Sequence, residues 1–258
     1  MMDEETFNAV IQNAKRRKYT SMNYIEYSDC VNAEVLHNSI DLVILHDKSK
    51  SPEMLFFAVD DFETVIRVIE EMPNNKLRLH FVPHEYSARL KELGFFEWGE
   101  YADFWNNNLK SISTHFDSIG EPEYLGNDEI EEVSLLSQRC RLQSRGFEGE
   151  SAEWFKEWMD DNKVIVKRVE NKVAGFCCVS IYNEGTTLWI REIAVDPPSQ
   201  GKGFGKYMME QAIMYGVNNG AVKGFLAADI LNENAIGLYR RYGFQMKDTD
   251  NELQMIRE

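Results

Sequence analysis

The residues best suited to chemistry lie in one stretch, Leu188 to Tyr207, which reads LWIREIAVDPPSQGKGFGKY. Leu188 to Val195 is rich in Trp, Ile, Leu and Val and reads as a buried strand. Asp196, Pro197, Pro198 and Ser199 end it in a turn. Gln200-Gly201-Lys202-Gly203-Phe204-Gly205-Lys206 follows and opens a long helical pattern. A glycine-rich turn at a helix N-terminus binds anions, because its backbone N–H groups can approach phosphate oxygens and the helix dipole adds positive charge. Lys202 and Lys206 bring formal charge to the same place. The spacing contains no Gly-Lys-Ser/Thr, so it is not a nucleoside-triphosphate loop, and it lacks the full dinucleotide fingerprint.

The flanks narrow the ligand. Gln200, Gly203 and Gly205 occupy the fixed positions of Gln/Arg-x-x-Gly-x-Gly/Ala after a strand, and this resembles the first signature of the GNAT acetyltransferase superfamily. Downstream, Asn232 to Phe244 reads NENAIGLYRRYGF and resembles the second, Asn-x-x-Ala-x-x-Leu-Tyr-x-x-x-Gly-Phe. The resemblance covers about residues 130–258. It implies acetyl-CoA as acyl donor, no metal, and an amine acceptor, either a small molecule or a peptide. The backbone of Gly201, Lys202, Gly203, Phe204, Gly205 and Lys206 would face the pyrophosphate, next to Gln200. Ile193, Ala194 and Val195 would offer backbone groups to the pantetheine arm, on a strand that a bulge splays from its neighbour.

Acetyl transfer to an amine needs an anchored thioester, a polarised carbonyl, a neutral amine and an acid for the leaving thiolate. Tyr239 matches the family's tyrosine, which serves as that acid, and a phenol of pKa about 10 suits a sulfur of similar basicity. Asn232 both caps its helix and lies within reach of the cofactor. The base is read as Glu192, on the central strand, with Asp229 as the alternative; residues 130–258 contain no histidine. Glu148 and Glu150 fall where relatives line the acceptor site. The expectation is an acetyl-CoA-dependent N-acetyltransferase with direct attack in a ternary complex. A sensor of coenzyme A thioesters, or a transferase of another acyl group, are the alternatives.

The elements that must position these residues form an α/β (α+β) fold, a mixed and mostly antiparallel sheet flanked by helices. The stretch 1–110 reads β-β-α-β-α-β, in the order of the later part, and Leu90 to Phe95 echoes the closing helix-Gly-Phe. Where a phosphate loop would lie, Asp60, Asp61 and Glu63 stand instead, and they would repel a pyrophosphate. The chain therefore reads as a degenerate GNAT-like domain without cofactor over 1–110 and a catalytic domain over 120–258, with Asn106 to Asn127 as linker. Residues 3–19 read as a helix ending in Lys15-Arg16-Arg17-Lys18, and Phe244–Met246 with Leu253–Ile256 as a closing hairpin.

Composition adds bounds. The net charge of −15 disfavours nucleic acid and anionic membranes as partners. Cys30, Cys140, Cys177 and Cys178 show no Cys-x-x-Cys pair and read as reduced core residues. All five histidines fall between His37 and His115. No apolar run suggests a transmembrane helix or a secretory signal, so a cytoplasmic location is expected. Oligomeric state has no sequence signal here.

Overall fold

The computed structural model describes residues 2–113, 116, 120–141, 143–249 and 251–258; His115 and part of the stretch read as a linker lie outside the described residues. The elements, in order, are α1 (Glu4–Ala14), β1 (Tyr19–Thr20), α2 (Tyr27–Cys30), β2 (Glu34–Asn38), β3 (Leu42–Asp47), β4 (Glu53–Val59), α3 (Glu63–Glu71), β5 (Leu77–Leu79), α4 (Ser87–Glu92) and β6 (Phe96–Asn106). Then come α5 (Leu109–Ser113), β7 (Glu123–Tyr124), α6 (Ile130–Arg139), α7 (Ala152–Asp161), β8 (Lys163–Val169), β9 (Lys172–Tyr182), β10 (Thr187–Val195), α8 (Phe204–Asn218), β11 (Lys223–Asp229), α9 (Glu233–Arg241), β12 (Gln245–Met246) and β13 (Glu252–Arg257).

Two compact units emerge, Met1–Glu100 with Asn251–Glu258, and Tyr101–Asp250. They divide the chain at other places than its composition does, because strand pairing rather than polarity draws the boundary. The linker stretch carries α5 and β7, both in the second unit. The two C-terminal strands do not form the expected hairpin. Instead, β12 pairs with β6, Gln245 opposite Trp105, while β13 pairs with β5, Met255 opposite Leu79. The expected helix over 3–19 also stops early, at Ala14. Its basic run forms a turn, where Arg17 meets Asp60 at 2.6 Å and the Lys18 amide donates to the same carboxylate.

The mixed, largely antiparallel architecture is as expected. In the second unit β7, β8, β9 and β10 pair antiparallel in sequence, β10 pairs parallel with β11, and β11 pairs antiparallel with β6. The parallel step forces a crossover, and α8 supplies it. Helices cover both faces, so β9 is buried on both and reads as an unbroken apolar run, VAGFCCV. On one face α8 and α9 pack Met208, Met209, Ile213 and Ile236 against Leu188, Ile190 and Cys177. On the other, α6 and α7 pack Val133, Leu136 and Phe155 against Val164, Phe176 and Cys178. Each such side chain contributes about 1.5–3 kcal/mol when fully buried.

The first unit repeats this order: β2, β3 and β4 antiparallel, β4 parallel with β5, and β5 antiparallel with β13. No helix among the described residues is long and apolar enough to cross a membrane.

Candidate active site

The site begins where two parallel strands part. The β10–β11 ladder runs only from Thr187–Lys223 to Trp189–Phe225. Beyond it β10 stays with β9 as far as Val195 opposite Gly175, while β11 stays with β6 as far as Asp229 opposite Tyr101. Ile190 to Val195 is thereby left with one edge unused by β11, in the middle of a sheet. Backbone N–H and C=O groups on such an edge need partners, and an extended ligand can supply them.

A β-bulge between Ile190 and Glu192 accompanies the parting. It breaks the alternation of faces. Arg191 reaches Trp154 of α7 and Glu192 reaches Ser137 of α6, so both face the α6–α7 side, whereas Ile190 and Ile193 pack on the α8–α9 side. Ala194 is buried on the α6–α7 face. The Val195 carbonyl accepts from the Gln200 amide at 3.1 Å. Gln200 therefore locks the turn onto the strand end, a role that sequence position alone did not separate from ligand contact.

The turn leads into α8 at Gly203, whose φ of +83° is the left-handed conformation that favours glycine. Space around Gly201 and Gly203 is open; a Cβ at either would meet nothing within 4 Å. The first amides of the helix, from Phe204 through Gly205 and Lys206, have no partner within the helix by its geometry and point out of its N-terminus. Lys202 and Lys206 are exposed beside them, Lys206 lying 3.6 Å from Glu210. A phosphate can approach this backbone without steric cost, which fits a coenzyme A pyrophosphate.

Glu192 is the buried acid of the site, its side chain only 8 % exposed. Ser137 Oγ donates to its Oε1 at 3.1 Å, and Oε2 is buried with no hydrogen-bond partner. Burial, then the charge of Glu150, push the carboxyl up to about 8; Arg191 and the Ser137 hydroxyl oppose them. Ser137 in turn accepts the Glu150 amide at 2.9 Å. Glu150 pairs with Arg191 at 2.8 Å, and Arg191 lies 4.1 Å over the Trp154 ring, which stacks on Trp158.

The loop carrying Glu150 is seated by Gly149. A Cβ there would lie 2.6 Å from the Gln138 Cα, and φ is +82°. Its other anchor is Asp229, the alternative base. That carboxylate is 2 % exposed, takes three bonds from the Arg145 guanidinium and accepts the Arg145 amide. Tyr101 donates its phenol to the Arg145 carbonyl. Asp229 is thus committed to holding the loop at the end of β11. Glu148 lies in the same loop.

Tyr239 projects from α9 to the opposite face, its ring 6.3 Å from Phe104. Burial, then the nearby Cys177 thiol, hold its phenol well above the usual tyrosine range, so it keeps its proton at neutral pH. Glu192 in turn raises the same Cys177 thiol, so the acid and the phenol bracket one residue of β9 from the two faces. The Asn232 side chain caps α9 by accepting the Ala235 amide at 3.2 Å. Among the described residues no cluster of His, Cys, Asp and Glu could hold a metal ion.

Ser137, Arg145, Gly149 and Arg191 belong to this site and carried no role in the sequence reading. One signal was available: adjacent Arg191 and Glu192 inside an apolar strand violate a period of two, which marks a bulge.

Comparison with known proteins agrees with this geometry. Residues 130–244 match the Acetyltransferase (GNAT) family. Streptothricin acetyltransferase of Streptomyces lavendulae is 32% identical over 108 residues, which are 42% of this chain and 53% of that protein. Mycothiol acetyltransferase of Paenarthrobacter aurescens is 25% identical over 186 residues, 65% of this chain and 56% of that protein. The chain thus spans about half the length of the curated relatives it matches. A conserved protein of unknown function from Staphylococcus epidermidis superposes with a TM-score of 0.62 at 16% identity, covering 92% of this chain and 99% of that one. A GCN5-related N-acetyltransferase from Sphaerobacter thermophilus gives 0.55 at 12% identity, covering 84% and 76%. At such identities these structures speak for the fold. Residues 130–244, which carry both signatures and the parted strands, thus form a domain of the acetyltransferase (GNAT) family.

Proposed function

We propose that the chain is an acetyl-CoA-dependent N-acetyltransferase that acts on a primary amine by direct attack in a ternary complex. The observation that carries this reading is the parting of β10 from β11 beyond Trp189–Phe225, with the open glycine turn of α8 at its end. Acetyl-CoA, when bound, supplies the acetyl thioester. The amides at the start of α8 hold its pyrophosphate, and the free edge of Ile193 to Val195 holds the pantetheine arm and polarises the carbonyl.

The residues divide the proton traffic by face. Glu192, through Oε2, which accepts no hydrogen bond, takes a proton from the acceptor ammonium on the α6–α7 side. A carboxyl near pH 8 is matched to that task, because it is basic enough to accept a proton and close enough to neutrality to lose it. Tyr239 on the other face hands its phenol proton to the departing thiolate. One C–N bond forms and one C–S bond breaks; the first proton lost by nitrogen leaves through Glu192 to solvent, and the second, shed after attack, restores the Tyr239 phenol that protonated the sulfur. The acceptor enters beside Glu148, Glu150 and the stacked Trp154–Trp158 pair, a setting suited to a cationic amine. The first unit is a copy of the fold without cofactor, and the protein acts in the cytoplasm.

Thiol release from acetyl-CoA, followed against a panel of amines, amino acids and peptides, tests the reading. Release that depends on one acceptor class and falls in Glu192→Gln supports it. Binding of acetyl-CoA with no release from any acceptor would point to a thioester sensor.

A further inference from the structure

The first unit repeats the parted strands but closes half of the opening with its own chain. The β4–β5 ladder ends at Met54 opposite Arg78, as β10–β11 ends at Trp189. The edge of β4 beyond it is taken: Tyr19 pairs with Val59 and Thr20 with Ala58. The Ser21 amide donates to the Phe57 carbonyl, and the Phe57 amide donates to Ser21 Oγ, both at 2.9 Å. With Asp60 and Asp61 at the start of α3 in place of a glycine turn, no coenzyme arm has a seat here.

The other half of the opening survives as a cavity of about 280 Å³. That is at the low end of the roughly 300–1,000 Å³ of small-molecule pockets. Its floor is apolar, Met54, Leu55 and Phe56, and Tyr24 and Phe81 form an aromatic wall with ring centroids 5.9 Å apart. Phe81 has φ of +55°, a conformation rare for a non-glycine residue that places its ring at this wall.

The polar groups have a definite arrangement. His80 Nε2 is buried and unpartnered among the described residues. Its Nδ1 lies 3.6 Å from Glu252 Oε1, and burial, then Arg78 and Lys50, lower the ring to about 4, so it is neutral. A neutral imidazole has one N–H, and the tautomer that places it on Nδ1, toward Glu252, is the one that suits a cationic ligand. Nε2 is then a bare acceptor that needs a donor. Asp29 and Glu252 add negative charge on the lining, which favours an ammonium. Among the described lining residues Lys50 supplies the one cation; its Nζ gives one hydrogen bond to the Asp29 carbonyl at 3.0 Å and keeps two more to give.

We propose that this cavity of the first unit is a binding site for a small zwitterion of the amino-acid class, its ammonium at His80 Nε2 and Glu252, its carboxylate at Lys50 and its side chain on the apolar floor. The site is separate from the transfer reaction and requires no acyl donor.

Calorimetric titration of the full chain with the standard amino acids, one at a time and without acetyl-CoA, tests the proposal. At least one is expected to bind. Its decarboxylated amine and its N-acetyl form are each expected to bind about tenfold more weakly or worse, as each loses one charged anchor. Lys50→Met and His80→Asn are expected to weaken it comparably, and Glu150→Gln to leave it unchanged, which separates this site from the acceptor site proposed for the second unit. Lys50 is exposed, so its variant keeps the test valid should His80→Asn fail to fold. Binding of no amino acid, equal binding of the bare amine, or binding indifferent to Lys50→Met would overturn the proposal.

Discussion

Arg191 lies 2.8 Å from Glu150 and 3.7 Å from Glu192, so its guanidinium is drawn toward the partner that leaves Glu192 poorly neutralised. Trp154 holds it there from the other side. The bulge makes this triangle possible by turning two successive residues of β10 to one face. A basic buried carboxyl results, and each corner of the triangle is testable.

Replacing Glu150 removes one negative charge near Glu192 and frees Arg191 to pair with it. Both changes lower the Glu192 pKa. In the wild type, kcat/KM should rise with pH to a plateau with a midpoint near 8, the value of Glu192. In Glu150→Gln that midpoint should move down by about one unit or more. An unshifted profile would remove Glu150 from the control of the base.

Stability carries the same signature. The folded Glu192 carboxyl binds its proton more tightly than the unfolded one, so the folded state holds more protons between the usual glutamate range and about pH 8. Stability therefore falls as pH rises through that window. Melting curves from pH 5 to 9 should show the wild type losing a few degrees relative to Glu192→Gln across it. Parallel curves would contradict the buried, strained state of this carboxyl.

Gly149 seats the loop that carries Glu150 on α6, where a methyl group would lie 2.6 Å from the Gln138 Cα. Gly149→Ala should cost about 2–3 kcal/mol, from the clash and the left-handed backbone together. Denaturant unfolding reads the loss, and a neutral outcome would mean that the loop seats elsewhere.

Tyr239→Phe deletes only the phenol oxygen in a well-packed position beside Phe104. Turnover should fall by about 10²-fold or more while acetyl-CoA affinity stays near wild type. Unchanged turnover would take Tyr239 out of the mechanism.

Much of the fold was legible where the signal is local. The strand ending at Val195, the turn after it and the Asn232 cap stand where the sequence puts them, because apolar runs, turn residues and capping are properties of a few neighbouring residues. The short β1, α2 and β2 left no such trace. Nor did the return of Glu252–Arg257 to β5, since a pairing between residues 77 and 257 is written in no single window. The glycine turn was readable as a motif. The Ser137–Glu192–Arg191–Glu150 network was not, because three segments far apart in sequence meet there. Asp229 looked like a base from its place at a strand end; only the packed loop reveals that Arg145 occupies it.

Calorimetric titration of acetyl-CoA into the wild-type chain and into Gly203→Glu tests the central placement most directly. The cleft of the second unit is open at α8, and that of the first is filled by Tyr19 to Ser21. One acetyl-CoA is therefore expected to bind per chain in the wild type and none in Gly203→Glu, where bulk and negative charge would meet the pyrophosphate. Two bound per chain, or affinity retained by Gly203→Glu, would contradict it.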